Sequence, residues 1–183
     1  MDLREKAACI RLILMDVDGT LTDGTLTVLP DGEELKSYHV RDGLGILMAQ
    51  LVGIETGIIT GKTSGALEKR ASRLKMKHLY QGILDKGAVL QKILSDTGLS
   101  SENVAYIGDD LGDLSVIKSV GLSAAVADAH ALVKKHSHMI CSLRGGAGAV
   151  REFIEFILEV QGYHWESIER KFLSLERSKT FNP

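Results

Sequence analysis

The stretch IRLILMDVDGTLTDG, residues 10–24, decides the fold of this chain. An apolar run with the composition of a buried strand leads directly into Asp16 and Asp18, and a glycine follows. Two like charges at the end of a buried strand are unfavourable unless a partner or a ligand compensates them. The stretch therefore predicts a strand that carries a functional site at its carboxyl end.

Further along the chain, short apolar β-type runs alternate with segments of helical period. These β-type runs span residues 11–17, 54–60, 77–82, 103–108, 122–127 and 137–142. Leu67, Ala71 and Leu74 fall at helical spacing between the second and third runs. Strands that alternate with helices of this length predict βαβ units. We therefore expect an α/β fold with a doubly wound parallel sheet and helices on both faces.

One segment breaks this alternation. GTLTVLPDGEELKSYHV, residues 24–40, has two β-like arms around the turn signal Pro30-Asp31-Gly32, which predicts a β-hairpin flap at 24–38, after strand one. We predict a single domain over residues 1–160 and a helical tail over 161–183. Four apolar residues at helical spacing in this tail would dock on their own domain or extend an oligomer: Trp165, Ile168, Phe172 and Leu175.

Composition excludes several classes of protein. The 183 residues are 44% hydrophobic and 25% charged, as in an ordinary globular protein. A net charge of −2 argues against a nucleic-acid partner. No apolar run has the length of a membrane helix, and the first residues lack the long apolar stretch of a signal peptide. Two distant cysteines predict reduced thiols, so we expect a cytoplasmic protein without a membrane partner.

Polar residues lie where the predicted strands end, which is where such sheets bind ligands. Several carboxylates at one point require a hard cation, and oxygen ligands favour Mg²⁺. A metal beside a lysine and a threonine hydroxyl forms a phosphoryl receptor. Asp16 can then act as nucleophile and Asp18 as the acid/base. The other polar residues that follow predicted strands are Thr60, Lys86, Asp109, Asp110 and Asp113.

Four of these segments resemble, in order, the motifs of the haloacid dehalogenase superfamily of phosphotransferases: DVDGTLTD, IITG, Lys86 within QGILDKGAVL, and GDDLGD. The resemblance spans roughly residues 10–150. It implies that Asp16 is the nucleophile and a Mg²⁺ ligand, and that Asp18 is the acid/base and lends its backbone carbonyl to the metal. It further implies phosphate contacts from Thr60 and Lys86, a third metal ligand at Asp109, and supporting roles for Asp110 and Asp113.

Motif spacing leaves no room for the substrate-reading cap domain that many of these enzymes carry. The first and second motifs are 60 − 16 = 44 residues apart, and the second and third are 86 − 60 = 26 apart. These gaps hold only the flap, two helices and two strands. We therefore expect no cap domain, with specificity supplied by the flap, by nearby loops or by another subunit.

A closer resemblance covers the chain up to about residue 160. VRDGLGI, ITGKTSGALEKRASRLK, YQGILDK, AYIGDDLGD and RGGAGAVREFIE are similar to segments of the capless tetrameric phosphatases of 3-deoxy-D-manno-octulosonate 8-phosphate (Kdo-8-phosphate), a lipopolysaccharide precursor. The resemblance implies a Mg²⁺-dependent phosphomonoesterase that acts as a homotetramer. The glycine-rich segment around Arg144–Gly148 would enter a neighbouring subunit's active site. The implied substrate contacts are Asp18, His39, Val40, Arg41, Asp42, Gly43, Lys62, Arg70 and Lys86.

Several alternatives stay open at this point. Lys62, Arg70 and Arg73 also fit a solvated helix face, and the best-known members of the resembling family have arginine where this chain has Lys62. A phosphatase of the same build could act on a nine-carbon acid-sugar 9-phosphate, such as that of Kdn or an N-acylneuraminate. Ranked lower are a phosphoacceptor receiver domain, which lacks the Asp-x-Asp acid/base, and a non-catalytic regulatory subunit.

Overall fold

A computed structural model describes residues 2–177. The strands are β1 Leu12–Met15, β2 Thr27–Val28, β3 Glu34–Leu35, β4 Glu55–Ile59, β5 His78–Tyr80, β6 Val104–Gly108, β7 Leu122–Ala125 and β8 Met139–Ile140. The helices are α1 Leu3–Ala8, α2 Val40–Leu51, α3 Gly65–Arg73, α4 Lys86–Thr97, α5 Leu114–Ile117, α6 Ala131–His136, α7 Ala149–Val160 and α8 Trp165–Arg177.

Six strands form one parallel sheet in the order β5-β4-β1-β6-β7-β8. β1 lies in the middle between β4 and β6, and all four of its residues are buried. A strand covered on both faces reads as a continuous apolar run, which is why β1 is recognisable in the sequence. Each of the six predicted runs contains one of these strands, so the predicted doubly wound sheet is confirmed.

Helices cover the sheet in two groups. α2 packs against α7, which also contacts α1, whereas α5 contacts both α4 and α6. α7 buries an apolar stripe that includes Phe153, Ile154 and Ile157. α8 packs against α2 of its own subunit and adds the buried Ile168 to the core. The side chains of Trp165 and Leu175, two members of the predicted tail stripe, lie outside the described residues.

The predicted flap is a short hairpin in which Thr27 pairs with Leu35 and Val28 with Glu34. Between β1 and β4 the chain forms only this hairpin and α2, and between β4 and α4 it forms only α3 and β5. Residues 16–85 are described throughout, and they contain no inserted cap domain, as predicted. Over residues 2–177, every helix is too short or too polar to cross a bilayer.

Candidate active site

Parallel pairing brings the predicted polar residues to one edge of the sheet. Asp16 follows β1, Thr60 follows β4 and Asp109 follows β6. The carboxylate oxygens of Asp16, Asp109 and Asp113 lie within 4.8 Å of one another. Three carboxylates from two neighbouring strand ends therefore form one cluster at this edge of the sheet.

Lys86 lies inside this cluster because α4 begins there. Asp85 caps the helix, its side chain accepting a hydrogen bond from the Ala88 amide at 3.0 Å. The buried Lys86 Nζ donates to Asp16 Oδ1 at 2.6 Å and to Asp113 Oδ1 at 2.7 Å. Burial alone would lower the pKa of Lys86, but the charges of the two carboxylates raise it above its ordinary value. The lysine is therefore a fixed positive charge beside the predicted nucleophile.

Asp113 accepts hydrogen bonds that hold the neighbouring residues of the site in place. Its Oδ1 accepts from the Tyr106 hydroxyl at 2.6 Å, and its Oδ2 accepts from the Asp109 amide at 2.9 Å and the Asp110 amide at 3.2 Å. Asp110 itself is exposed and accepts from the Leu111 amide at 2.8 Å, capping a 3₁₀ turn. Of the two residues predicted as supporting, only Asp113 reaches the cluster.

The cluster has the charge and chemistry of a divalent-cation site. Burial and the charge of Asp113 raise the pKa of Asp16 to about 6. Burial and the charge of Asp16 raise the pKa of Asp109 to about 7, although Thr20 Oγ1 donates to its Oδ1 at 2.9 Å. Three carboxylates face one ammonium, and the excess negative charge among oxygen-only donors fits Mg²⁺. The Asp18 carboxylate is not a member of the cluster found among residues 2–177.

The flap contacts the site through two ion pairs. Lys36, just after β3, pairs with Asp18 Oδ1, and its side chain is only 3% exposed. Lys62 Nζ lies 3.1 Å from Glu34 Oε2, so the flap already engages the residue predicted to meet the sugar. Sequence reasoning missed Lys36, Tyr106 and Thr20. Of the three, only Tyr106 carried a signal, a polar hydroxyl in a fully buried strand.

The segment predicted to line the substrate site forms the start of α2. His39 is the N-cap residue, Val40 and Arg41 are exposed, and Asp42 Oδ1 accepts from the Arg151 amide at 2.9 Å. A Cβ on Gly43 would lie 3.2 Å from Arg70 Cζ, so the glycine makes room for the guanidinium. The Arg70 guanidinium is 5.8 Å from the centre of the Tyr38 ring. The structure thus brings Arg70 to the helix start, whereas Lys62 lies with the flap.

The glycine-rich segment packs against the loop that follows β1. The Gly146 amide donates to the Thr20 carbonyl at 2.9 Å, and a Cβ on Gly145 would lie 2.6 Å from the Gly19 carbonyl carbon. The Gly145 amide also donates to Asp128 Oδ1 at 3.0 Å. These two glycines thus permit a close backbone approach to the chain's own loop after β1. The expectation that Arg144–Gly148 enters a neighbouring subunit's active site stays a prediction.

Comparisons with known proteins identify the family of this chain. Residues 56–154 match the family model described as haloacid dehalogenase-like hydrolase. The chain is 45% identical over 161 residues to the Kdo-8-phosphate phosphatase KdsC of Escherichia coli (strain K12), covering 88% of this chain and 86% of that protein.

Two crystal structures of such phosphatases superpose closely on the chain. The enzyme of Yersinia pestis is 46% identical, with 88% of each chain covered and a TM-score of 0.87. The enzyme of Moraxella catarrhalis, in complex with magnesium ion, phosphate ion and KDO, is 36% identical, with 93% of this chain and 97% of that chain covered and a TM-score of 0.89. With the family model matched and these relatives aligned along most of its length, the chain belongs to the haloacid dehalogenase-like hydrolases.

Proposed function

We propose that this chain is a phosphoric monoester hydrolase that converts Kdo-8-phosphate to Kdo and inorganic phosphate, a step in lipopolysaccharide precursor synthesis. The observation that carries the proposal is the cluster of Asp16, Lys86, Asp109 and Asp113. It supplies a nucleophile, a fixed cation and metal ligands at one point. The relatives that share the chain over most of its length are named for this substrate.

Mg²⁺ is the cofactor of the proposed reaction. The residues that would hold it are Asp16 and Asp109, with the Asp18 backbone carbonyl as a further ligand. When bound, Mg²⁺ neutralises charge on the phosphoryl group and relieves the repulsion among the carboxylates. The relative from Moraxella catarrhalis contains magnesium together with phosphate, which supports this choice.

The reaction proceeds in two steps. Asp16 attacks phosphorus through a carboxylate oxygen, the bond from phosphorus to the sugar oxygen breaks, and Asp18 gives its proton to the departing oxygen. Water then attacks the aspartyl-phosphate, Asp18 takes up the water's proton, and inorganic phosphate leaves as the carboxylate of Asp16 is restored. Lys86 and the Thr60 hydroxyl hold the phosphoryl group throughout. Asp113 and Tyr106 keep Lys86 in place.

Substrate choice would be made outside this cluster. Kdo-8-phosphate carries a carboxylate at the end opposite its phosphate, and a cation near the crevice mouth would hold it. We propose Arg70, Lys62 and the segment His39–Gly43 for this role. The Lys62–Glu34 ion pair means that the sugar carboxylate competes with Glu34 for the lysine.

Assembly and location are further parts of the proposal. Three apolar flap residues are half exposed or more, Leu26, Val28 and Leu35, and a closed homotetramer would cover them. In this assembly the segment around Arg144–Gly148, whose Arg144 side chain is exposed, would enter a neighbouring subunit's active site. Two free cysteines are consistent with a reducing cytoplasm.

In this proposal the chain consists of a phosphatase domain at 1–160 and a C-terminal tail at 161–183.

A substrate panel tests the proposed function. Phosphate release is measured with Mg²⁺ from Kdo-8-phosphate, from Kdn and N-acylneuraminate 9-phosphates, from ribose 5-phosphate and from p-nitrophenyl phosphate. We expect the highest kcat/KM with Kdo-8-phosphate, and Asp16→Asn prepared in parallel controls for contaminating phosphatases. A higher kcat/KM with a nine-carbon substrate would transfer the assignment to that sugar. A native mass equal to the monomer, with full activity, would contradict the tetramer.

A further inference from the structure

Lys36 is a buried charge that the proposed mechanism leaves without a role. Its side chain is 3% exposed and its ammonium pairs with Asp18 Oδ1, 18 residues earlier in the chain. A buried ammonium is strongly unfavourable unless it is paired, so this lysine is held at its place by the carboxylate. Across residues 2–177, Asp18 is the one hydrogen-bond partner found for Lys36 Nζ.

The hairpin presents this lysine to the site by strand alternation. Successive side chains of a strand point to opposite faces. Glu34 and Lys36 make ion pairs with Lys62 and Asp18, whereas Leu35 between them is 50% exposed. One face of the β3 arm is therefore polar and lies against the crevice. The contact follows from the register of the hairpin.

The pairing distinguishes the two oxygens of Asp18. Oδ1 is taken by Lys36, whereas Oδ2 is buried and has no hydrogen-bond partner among the described residues. A buried polar atom without a partner is uncommon in proteins, and a catalytic role is one explanation for it. Oδ2 is therefore the oxygen available to exchange a proton with the sugar oxygen and, later, with water.

We propose that Lys36 is a positioning residue which fixes the Asp18 carboxyl group so that Oδ2 delivers the proton to the leaving sugar oxygen. The proposal rests on the phosphatase mechanism above, but it does not depend on which sugar is hydrolysed. As the bond from phosphorus to oxygen breaks, the proton on Oδ2 passes to the departing oxygen, and the Asp18 carboxylate that forms is stabilised by the ammonium. The flap thereby contributes to the chemistry as well as covering the crevice.

Leaving-group dependence tests this role. kcat/KM reports the first phosphoryl transfer, and p-nitrophenolate leaves without protonation, whereas a sugar alkoxide does not. We expect Lys36→Met to lower kcat/KM about 10–100-fold with Kdo-8-phosphate or glycerol phosphate, and less than about 3-fold with p-nitrophenyl phosphate. Lys36→Arg, which keeps the charge, should restore part of the loss. Lys92→Met, which breaks the exposed ion pair with Asp96, is the matched control and should leave kcat/KM unchanged with all three esters.

A double-mutant cycle then separates positioning from a direct contact with substrate. If Lys36 acts through Asp18, Lys36→Met should cause little further loss in an Asp18→Asn enzyme. An equal loss with all esters, or a full further loss in the Asp18→Asn background, would overturn the proposal. If Lys36→Met does not fold, Lys36→Gln is measured in its place. Poor turnover of Kdo-8-phosphate by the wild type would contradict the assigned substrate. The comparison of glycerol phosphate with p-nitrophenyl phosphate would still test the role of Lys36.

Discussion

Gly145→Ala should damage the active site from outside it. A Cβ at position 145 would lie 2.6 Å from the Gly19 carbonyl carbon, whereas unbonded carbons need about 3.5 Å. The Cβ would overlap the Gly19 carbonyl oxygen more severely still, so the loop after β1 must move by at least 3.5 − 2.6, or about 0.9 Å. Gly145 is not among the glycines with positive φ, so the effect is steric. The displaced loop carries Thr20, whose hydroxyl donates to Asp109.

Two effects follow from this displacement. Overpacking costs about 1–3 kcal/mol, which for a chain of this size lowers Tm by roughly 2–12 °C. A shift of about 1 Å in catalytic geometry can cost up to about 10²-fold, so we expect kcat/KM to fall about 10–100-fold and the Mg²⁺ requirement to rise.

Thermal unfolding and a Mg²⁺ titration of initial rates measure these effects. Gly65→Ala is the matched control, because a Cβ at the start of α3 meets nothing within 4 Å. It should leave kcat/KM unchanged and stabilise the fold slightly. Gly145→Ala with wild-type Tm and kcat/KM would refute the bracing of the loop by this segment.

Three further changes test the assigned roles. Asp16→Asn should abolish turnover while the fold is retained, and a mutant with wild-type rates and bound metal would exclude the covalent route. EDTA should abolish activity reversibly, and activity after exhaustive chelation would disprove the metal assignment. Asp109→Ala should raise the Mg²⁺ concentration needed for half-maximal rate far more than Asp110→Ala, because the Asp110 side chain is exposed. Lys62→Ala should raise KM for Kdo-8-phosphate but not for p-nitrophenyl phosphate, and an equal rise for these two substrates would place Lys62 at the phosphate. Glu34→Gln should lower KM for Kdo-8-phosphate, because it releases Lys62 from its ion pair.

The sheet and the central cluster are predictable from sequence because both depend on periodicity. β1 and β6 are continuous apolar runs, and parallel strands bring the residues at their carboxyl ends to one edge of the sheet. The pattern alone therefore predicts that Asp16 and Asp109 lie together. The position of Lys36 is not predictable in this way, because a lysine in a hairpin arm is usually solvated, and its burial depends on how the hairpin folds back over Asp18.

The glycine-rich segment shows a different limit of sequence reasoning. Gly145 and Gly146 indicate a close backbone approach, since only the loss of a side chain permits one. Their partner, the loop at Gly19–Asp23, lies more than 100 residues away, and nothing in the pattern identifies it. Within the chain, the loop after β7 holds Gly145 through Asp128 and so places the segment against the loop after β1.

The flap is built from only two residue pairs, and this sets how substrate can enter the crevice. An isolated two-stranded hairpin has little stability of its own, so Lys36–Asp18 and Lys62–Glu34 hold it in place at its base. Flap amides should therefore exchange with deuterium through local opening, at a free energy far below that of global unfolding, while β1 amides exchange only when the whole sheet opens. A ligand that binds in the crevice should slow exchange in the flap first, and the exchange rate then becomes a direct measure of how often the entrance is open.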